Sequence, residues 1–350
     1  MTVSFFRPER AYETQREELR AAFEQVLGSE RVILGPEVER FEQEFAGVAG
    51  TRFAVGVASG TDALELALRA LELPPGSEVI CPNLTAVATA TAIVRAGHTP
   101  VLVDVDSDTL TLSVDHAAAA LTPRVAAIVA VHLYGRPAPV EGLTELGVPV
   151  VEDCAQSHGL EVKGSLGCFS FYPTKNLGAF GDGGAVATSD PELATRVRSL
   201  RVYGEGPDGR STAPGLNSRL DELQAALLRV RLRRLREDNE RRAEIAQTYD
   251  AALGRSSPPG VHHLYVVRSP QRDELRDALR QAGIETGVHY AFGLTDHPAF
   301  ADARRGGGLE ASTKAAREVL SLPCYAYLSG EEEKRVAAEL ASLQARFAIR

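Results

Sequence analysis

The sequence predicts an α/β protein: a large domain with a mainly parallel sheet of seven strands, covered by helices on both faces, followed by a small C-terminal α+β domain. Three observations carry this. Short apolar, β-branched runs recur at 53–58 (FAVGVA), 78–81 (EVIC), 101–105 (VLVDV), 125–131 (VAAIVAV), 148–152 (VPVVE), 168–172 (CFSFY) and 185–188 (AVAT). Helical spacing fills several of the gaps, as at 61–71 (TDALELALRAL) and 84–95, and alternating strands and helices build parallel sheets buried on both sides. After Gly184 the pattern changes to long helices, and a Gly-Ser-Pro cluster, GRSSPPG at 254–260, breaks the chain near its last quarter.

The elements follow in order. Residues 10–27 read as an amphipathic helix, and Phe41, Phe45 and Val48 keep a helical apolar spacing. Past the strand region, 191–202 and 220–253 read as helices, the second with Leu220, Leu223, Leu227 and Val230 on one stripe, long enough to bridge two lobes. Residues 204–215 hold four Gly and two Pro, which predicts a mobile surface loop. A strand at 263–268, a helix at 270–282, a segment around His289 and a helix at 331–347 complete the small domain. The domains are therefore expected at 1–253 and 261–350.

Composition narrows the function. Lys and Arg number 38 against 47 Asp and Glu, a net charge of −9, which disfavours nucleic acid or an anionic membrane as partner but allows a local site for a phosphorylated small molecule. The apolar run 125–131 meets His132 and is far shorter than a membrane span, and the start has no basic-then-apolar signal, so a cytoplasmic protein is expected. Cys81, Cys154, Cys168 and Cys324 form no CxxC pair; buried thiols are expected, with no disulfide framework and no metal site.

Three segments can carry chemistry. Ser59-Gly60-Thr61 lies between a strand and a helix, where free N–H groups and the helix dipole favour a phosphate, though the same residues also suit a plain N-cap. Asp153 stands at the carboxyl end of an apolar strand, where it could ligate a metal, cap a helix or pair with a heterocycle nitrogen. Lys175 sits in FSFYPTKNLG, ahead of GDGG at 181–184; it is either a surface lysine or a partly desolvated nucleophile. The conjunction decides among these. A phosphate turn, a strand-end Asp and, 22 residues on (175 − 153), a Lys on a Gly-rich turn supply what pyridoxal 5'-phosphate requires. A GxxxxGK[ST] loop is absent, as is GxGxxG after the first strand.

With SGTDALELAL (59–68), VHLYG (131–135), VEDCAQSHG (151–159), FSFYPTKNLGAFGDGGAV (169–186), NSRLDELQAA (217–226), HLYVVR (263–268) and GIETGVHY (283–290), the chain resembles the DegT/StrS-type sugar aminotransferases from about residue 36 to 343. The resemblance implies a fold-type I pyridoxal-phosphate transferase, aspartate aminotransferase-like. Lys175 resembles the Schiff-base lysine and proton shuttle, Asp153 the carboxylate paired with the ring nitrogen, and Gln156 the contact to the phenolic oxygen. Gly60, Thr61 and Ser170 resemble the phosphate cradle. Asn217 resembles a residue reaching the phosphate of a neighbouring subunit, which implies a homodimer, although Asn217 would also serve as an N-cap. Arg219, His289 and Tyr290 occupy positions that face substrate. The related 3-dehydratases carry histidine where this chain has Lys175, so transamination is expected, with glutamate or glutamine as donor and a keto sugar, nucleotide-linked and aminated at carbon 3, as acceptor, in antibiotic or surface-glycan biosynthesis. Departures bear on the acceptor: Ala86 stands where relatives place a ring-stacking aromatic, 291–297 (AFGLTDH) replaces a proline-containing run, and 204–215 lacks the usual Lys-Tyr and His. A longer-chain sugar or cyclitol ketone, a dehydration, or a non-catalytic cofactor-binding sensor are the alternatives.

Overall fold

The computed structural model describes residues 2–350. Its strands are β1 (Phe53–Val57), β2 (Glu78–Pro82), β3 (Thr99–Val103), β4 (Val125–Val131), β5 (Val150–Asp153), β6 (Leu166–Ser170), β7 (Gly184–Thr188), β8 (Tyr265–Arg268), β9 (Arg304–Arg305) and β10 (Val319–Leu322). The first seven form one sheet in the order β1-β7-β6-β5-β4-β2-β3, matching the expected seven strands, and β9 adds a two-residue eighth at the β3 edge. All pairings are parallel except those of β7, which runs against both β1 and β6. The carboxyl ends of β1, β4, β5 and β6 therefore lie along one edge of the sheet.

Alternation explains the double cover. Val79, Cys81, Val129 and Val131 face the cluster built with helices Gly60–Ala70, Val87–Arg95 and Pro191–Leu200. Their neighbours Ile80, Ile128 and Ala130 face the opposite side with Val140 and Leu143. With both faces apolar, every strand of this region reads as a continuous hydrophobic run.

Two predicted helices are each two. Residues 10–27 divide into Pro8–Thr14 and Arg16–Leu27 at Gln15, whose buried amide donates to the Val230 carbonyl (3.0 Å). Residues 220–253 divide into Glu222–Leu232 and Leu235–Leu253 at Arg233-Arg234. No Gly or Pro marks either break. The second break separates two loyalties: Ala225 and Leu228 pack on the large domain, whereas Ile245, Ala246, Tyr249 and Leu253 pack in the second core with β8, β10 and helix Gly330–Phe347. That second core also takes Val3, which pairs with Ile284 and exchanges backbone bonds with Gly283 and Glu285. Residues 204–215 are not open: Thr212 N–H donates to Gly204 O and Gly206 N–H to Arg210 O (both 2.8 Å), closing a small hairpin. No helix of the described residues is long and apolar enough to cross a membrane.

One buried carboxylate joins distant segments. Glu222, 1% exposed, accepts from the backbone N–H groups of Gly35 (2.8 Å), Glu37 and Val38 (3.3 Å), capping helix Pro36–Val48 from another helix. Glu222→Ala strands these donors and should lower unfolding free energy by about 2–4 kcal/mol, with Glu222→Gln losing less. A urea midpoint for Glu222→Ala equal to that of the wild type would show that the cap contributes nothing.

Candidate active site

The site is assembled at the carboxyl edge of β1, β5 and β6. Just beyond β1, Ser59 caps helix Gly60–Ala70 by accepting from Asp62 N–H (3.1 Å), as an N-cap should. The amides of Gly60 and Thr61 in that first turn make no hydrogen bond within the described residues. A Cβ on Gly60 would stand 2.5 Å from Ser170 Cβ, so only glycine lets the helix start lie against the end of β6. Two free amides and the Ser170 hydroxyl thus share one corner, a cradle suited to a phosphate.

Asp153 ends β5 and is buried. Thr89 Oγ1 donates to its Oδ2 (2.9 Å) and Ala155 N–H to its Oδ1 (3.2 Å). Because the single Thr89 proton goes to Asp153, Thr85 supplies the proton of the 2.9 Å Thr85–Thr89 bond, making a short relay toward the carboxylate. Burial raises the Asp153 pKa, opposed by these donors and by Lys175. Each oxygen keeps a lone pair free for a cationic N–H.

Lys175 lies on the turn after β6, which closes through Lys175 N–H to Tyr172 O (2.8 Å) and Ala179 N–H to Phe171 O (2.7 Å). Among the described residues its ammonium has no hydrogen-bonded or ion-paired partner, and burial lowers its pKa to about 8 while the Asp153 charge pulls the other way. At neutral pH a usable fraction of the amine is therefore unprotonated.

Gln156 and Tyr290 face each other. Gln156 Oε1 accepts from Tyr134 N–H (2.6 Å), which orients Nε2 to donate to the Tyr290 hydroxyl (3.2 Å). Burial and the Asp153 charge raise the Tyr290 phenol to about 12, so it stays a donor. Tyr134, in a left-handed backbone conformation (φ 64°), donates its own hydroxyl to the His289 carbonyl. The His289 ring stacks on Phe5 at 5.8 Å and bonds Ser321 Oγ through Nδ1 (2.9 Å); burial lowers its pKa to about 4. It sits in a turn and not on a strand edge.

The structure brings Gly60, Thr61, Asp153, Gln156, Ser170, Lys175, His289 and Tyr290 to one region. Asn217 and Arg219 differ. Asn217 is exposed and its side chain makes no bond among the described residues; the helix that follows begins at Glu222 with Asp221 as N-cap residue, so Asn217 does not cap it. Its neighbour Ser218 turns inward, donating to Asp62 (2.8 Å) and accepting from Ala58 N–H (3.1 Å). Arg219 is half-buried, precedes the helix and has no ion pair. Thr89 and Tyr134 were not singled out from sequence. Their available signals were Thr85 and Thr89 one helical turn apart and the Tyr-Gly pair of VHLYG.

His132, Glu152 and Cys154 also converge, within 4.8 Å. His132 Nδ1 accepts from Ala138 N–H, so Nε2–H donates to Glu152 Oε2 (2.7 Å), and Glu152 Oε1 accepts from the Lys163 and Gly164 amides. These bonds use the atoms a metal would need, and the trio serves the fold.

Residues 13–341 match the DegT/DnrJ/EryC1/StrS aminotransferase family. The chain is 46% identical to a dTDP-3-amino-3,4,6-trideoxy-alpha-D-glucose transaminase of Streptomyces venezuelae, over 95% of this chain and 94% of that one. It is 42% identical to the erythromycin biosynthesis sensory transduction protein EryC1 of Saccharopolyspora erythraea, over 97% and 99%. The crystal structure of S. venezuelae DesV in complex with a ketimine intermediate superposes with a TM-score of 0.93 at 44% identity, covering 97% of this chain and 98% of that one.

Acetylation of Lys175 in the cofactor-free protein, followed by mass spectrometry, should rise with pH around a midpoint of about 8. An ionised Asp153 favours the ammonium, so Asp153→Asn should move the midpoint lower. A midpoint that rises, or stays fixed, in that variant would mean the two groups are not electrostatically linked.

Proposed function

Because the chain belongs to the DegT/DnrJ/EryC1/StrS aminotransferase family, whose members use pyridoxal 5'-phosphate, we propose that it transfers an amino group from glutamate or glutamine to a keto sugar, nucleotide-linked and aminated at carbon 3, in antibiotic or surface-glycan sugar biosynthesis. The observation that carries the reading is the nearness of a half-buried lysine of lowered pKa, with no bonded partner among the described residues, to a buried strand-end aspartate. The name of the S. venezuelae relative supports both the nucleotide-linked acceptor and carbon 3.

The residues fit the cofactor. The Gly60 cradle, which a Cβ would fill, and its free amides suit the phosphate; Asp153, with lone pairs to spare, suits a protonated ring nitrogen; Gln156 Nε2 suits a phenolic oxygen. When bound, pyridoxal phosphate supplies a reactive carbonyl carbon and a ring able to accept an electron pair.

The chain's own groups then divide the work. Lys175, as free amine, would hold the cofactor at its carbonyl carbon and, when freed by the donor, would move the proton that transamination requires; its depressed pKa suits it both to take and to give that proton near neutrality. Asp153, as carboxylate, would hold a protonated ring nitrogen, and the Thr85–Thr89 relay keeps the charge in place. Tyr290 stays protonated and offers a hydrogen bond on the substrate side. His289, neutral above about pH 4, offers a lone pair or an N–H without competing for charge.

We further propose a cytoplasmic homodimer. The four cysteines are all unpaired and buried, as suits a reducing compartment. Asn217 is exposed beside the inward-turned Ser218, and Tyr172, Phe180 and Tyr203 are exposed aromatics (53%, 41% and 53%), which supports a partner surface.

The purified protein should show a visible band of lysine-bound cofactor that one amino donor bleaches and a keto sugar restores; Lys175→Ala should lack the band and turn over undetectably. A band that no donor bleaches would favour a dehydratase or a sensor, and multiple turnovers by Lys175→Ala would remove the assignment. Separately, Lys175→Ala and Asn217→Ala subunits, each inactive alone, should regain about a quarter of wild-type activity when mixed and allowed to exchange, because half the dimers then carry one intact shared site. No recovery would place Asn217 in its own subunit's site, and an active Asn217→Ala protein would place it in none.

A further inference from the structure

The residue after the lysine is tied down more firmly than any turn requires. Asn176 is buried, and its side chain reaches three residues on two segments. Nδ2 donates to Asn239 Oδ1 (2.7 Å), on helix Leu235–Leu253, and to the Val261 carbonyl (3.0 Å). Oδ1 faces His263 Nδ1 (3.0 Å). Asn239 in turn donates from Nδ2 to the His158 carbonyl (2.8 Å).

These bonds fix the protons. A backbone carbonyl can only accept, so Val261 O sets which end of the Asn176 amide is the NH₂ group, and Oδ1 must be the atom that meets His263. The proton between them therefore belongs to His263 Nδ1. Nε2 is left as a bare lone pair with no bond among the described residues. A protonated imidazolium is disfavoured by burial and by the charges around it, Lys175 and Arg242, whose guanidinium reaches the His263 carbonyl (3.2 Å).

We propose that His263, as the neutral Nδ1–H tautomer, is a positioning residue for Lys175, holding the 173–178 turn through Asn176 and fixing it to the helix that joins the two lobes. The main chain of that turn is already anchored to the large domain: Arg231 Nη1 donates to Gly178 O (2.9 Å) and Gln224 Oε1 accepts from Phe180 N–H (2.9 Å). Asn176 supplies the opposite anchor, from the 261–263 segment and helix Leu235–Leu253. With both, the lysine has one place from which to reach the cofactor carbonyl; with one, the turn can pivot. The inference rests on Lys175 being the reactive amine.

The test is the rate at which added pyridoxal phosphate becomes attached to Lys175, trapped at intervals with borohydride and located by mass spectrometry. His263→Leu should slow trapping about ten-fold, the size expected for loss of one buried hydrogen bond. His263→Asn places an amide donor where Nδ1 was and should restore the rate to within about three-fold, whereas His263→Gln, whose amide occupies the Nε2 position, should not. The same order should appear in kcat of the donor half-reaction with KM for the donor little changed. Rescue by Gln in place of Asn, rescue by both or by neither, or a wild-type rate in His263→Leu each overturns the proposal. If His263→Leu does not fold, the Asn and Gln pair decides alone. A wild-type protein that traps no cofactor at Lys175 removes instead the assignment of that lysine, and the positioning role falls with it.

Discussion

Lys175, half-buried, and Asp153, buried, lie near enough that each shapes the other's ionisation. Burial drives the lysine toward its neutral form and the aspartate toward its protonated form; their mutual attraction works against both trends. The balance leaves an amine with a pKa of about 8 facing a carboxylate that Thr89 and the Ala155 amide hold ready. A stronger ion pair would lock the lysine as an ammonium, and deeper burial without Thr89 would neutralise the aspartate. The neighbouring imidazoles of His158, His263 and His289 are all held neutral, so none adds a competing charge.

This arrangement depends on how the sheet is threaded. Reversing only β7 lets β1 and β6 point the same way while lying one strand apart, which brings the helix start at Gly60 against Ser170. Gly184 at the start of β7 completes the seam: a Cβ there would lie 2.4 Å from Ser59 O. The glycines of GDGG thus differ in purpose from flexible-loop glycines, since Gly184 is there for the close passage of three chains.

Much of this was legible in the sequence, because buried parallel strands are continuous apolar runs and the groups for one cofactor recur in fixed chain order. The strand-end Asp153, the turn lysine and the Ser59-Gly60-Thr61 corner needed only local context. The helix breaks at Gln15 and Arg233 were not legible, since neither has a Gly or Pro and both arise from packing against other elements. The same holds for Thr89, which meets Asp153 from 64 positions away, and for His263, which meets Asn176 from 87. A polar side chain whose partner is supplied by topology carries no local mark. Asn217 was marked as a site residue, yet a single chain places it outward, which is what a residue serving another subunit would look like.

The bond between Val3 and the 283–285 segment makes the smaller core a composite of the beginning and end of the chain, with Arg268 and Arg350 exchanging backbone bonds beside it. The large domain is, in topological terms, an insertion within the small one. A ribosome must therefore deliver some 280 residues before Val3 can find its partner, and contacts of such sequence separation form late because loop-closure entropy opposes them. The lobe that presents His289 and Tyr290 is then the last to be completed. These long-range contacts would close last, after the segments that carry Lys175, Asp153 and Gly60 are already in place.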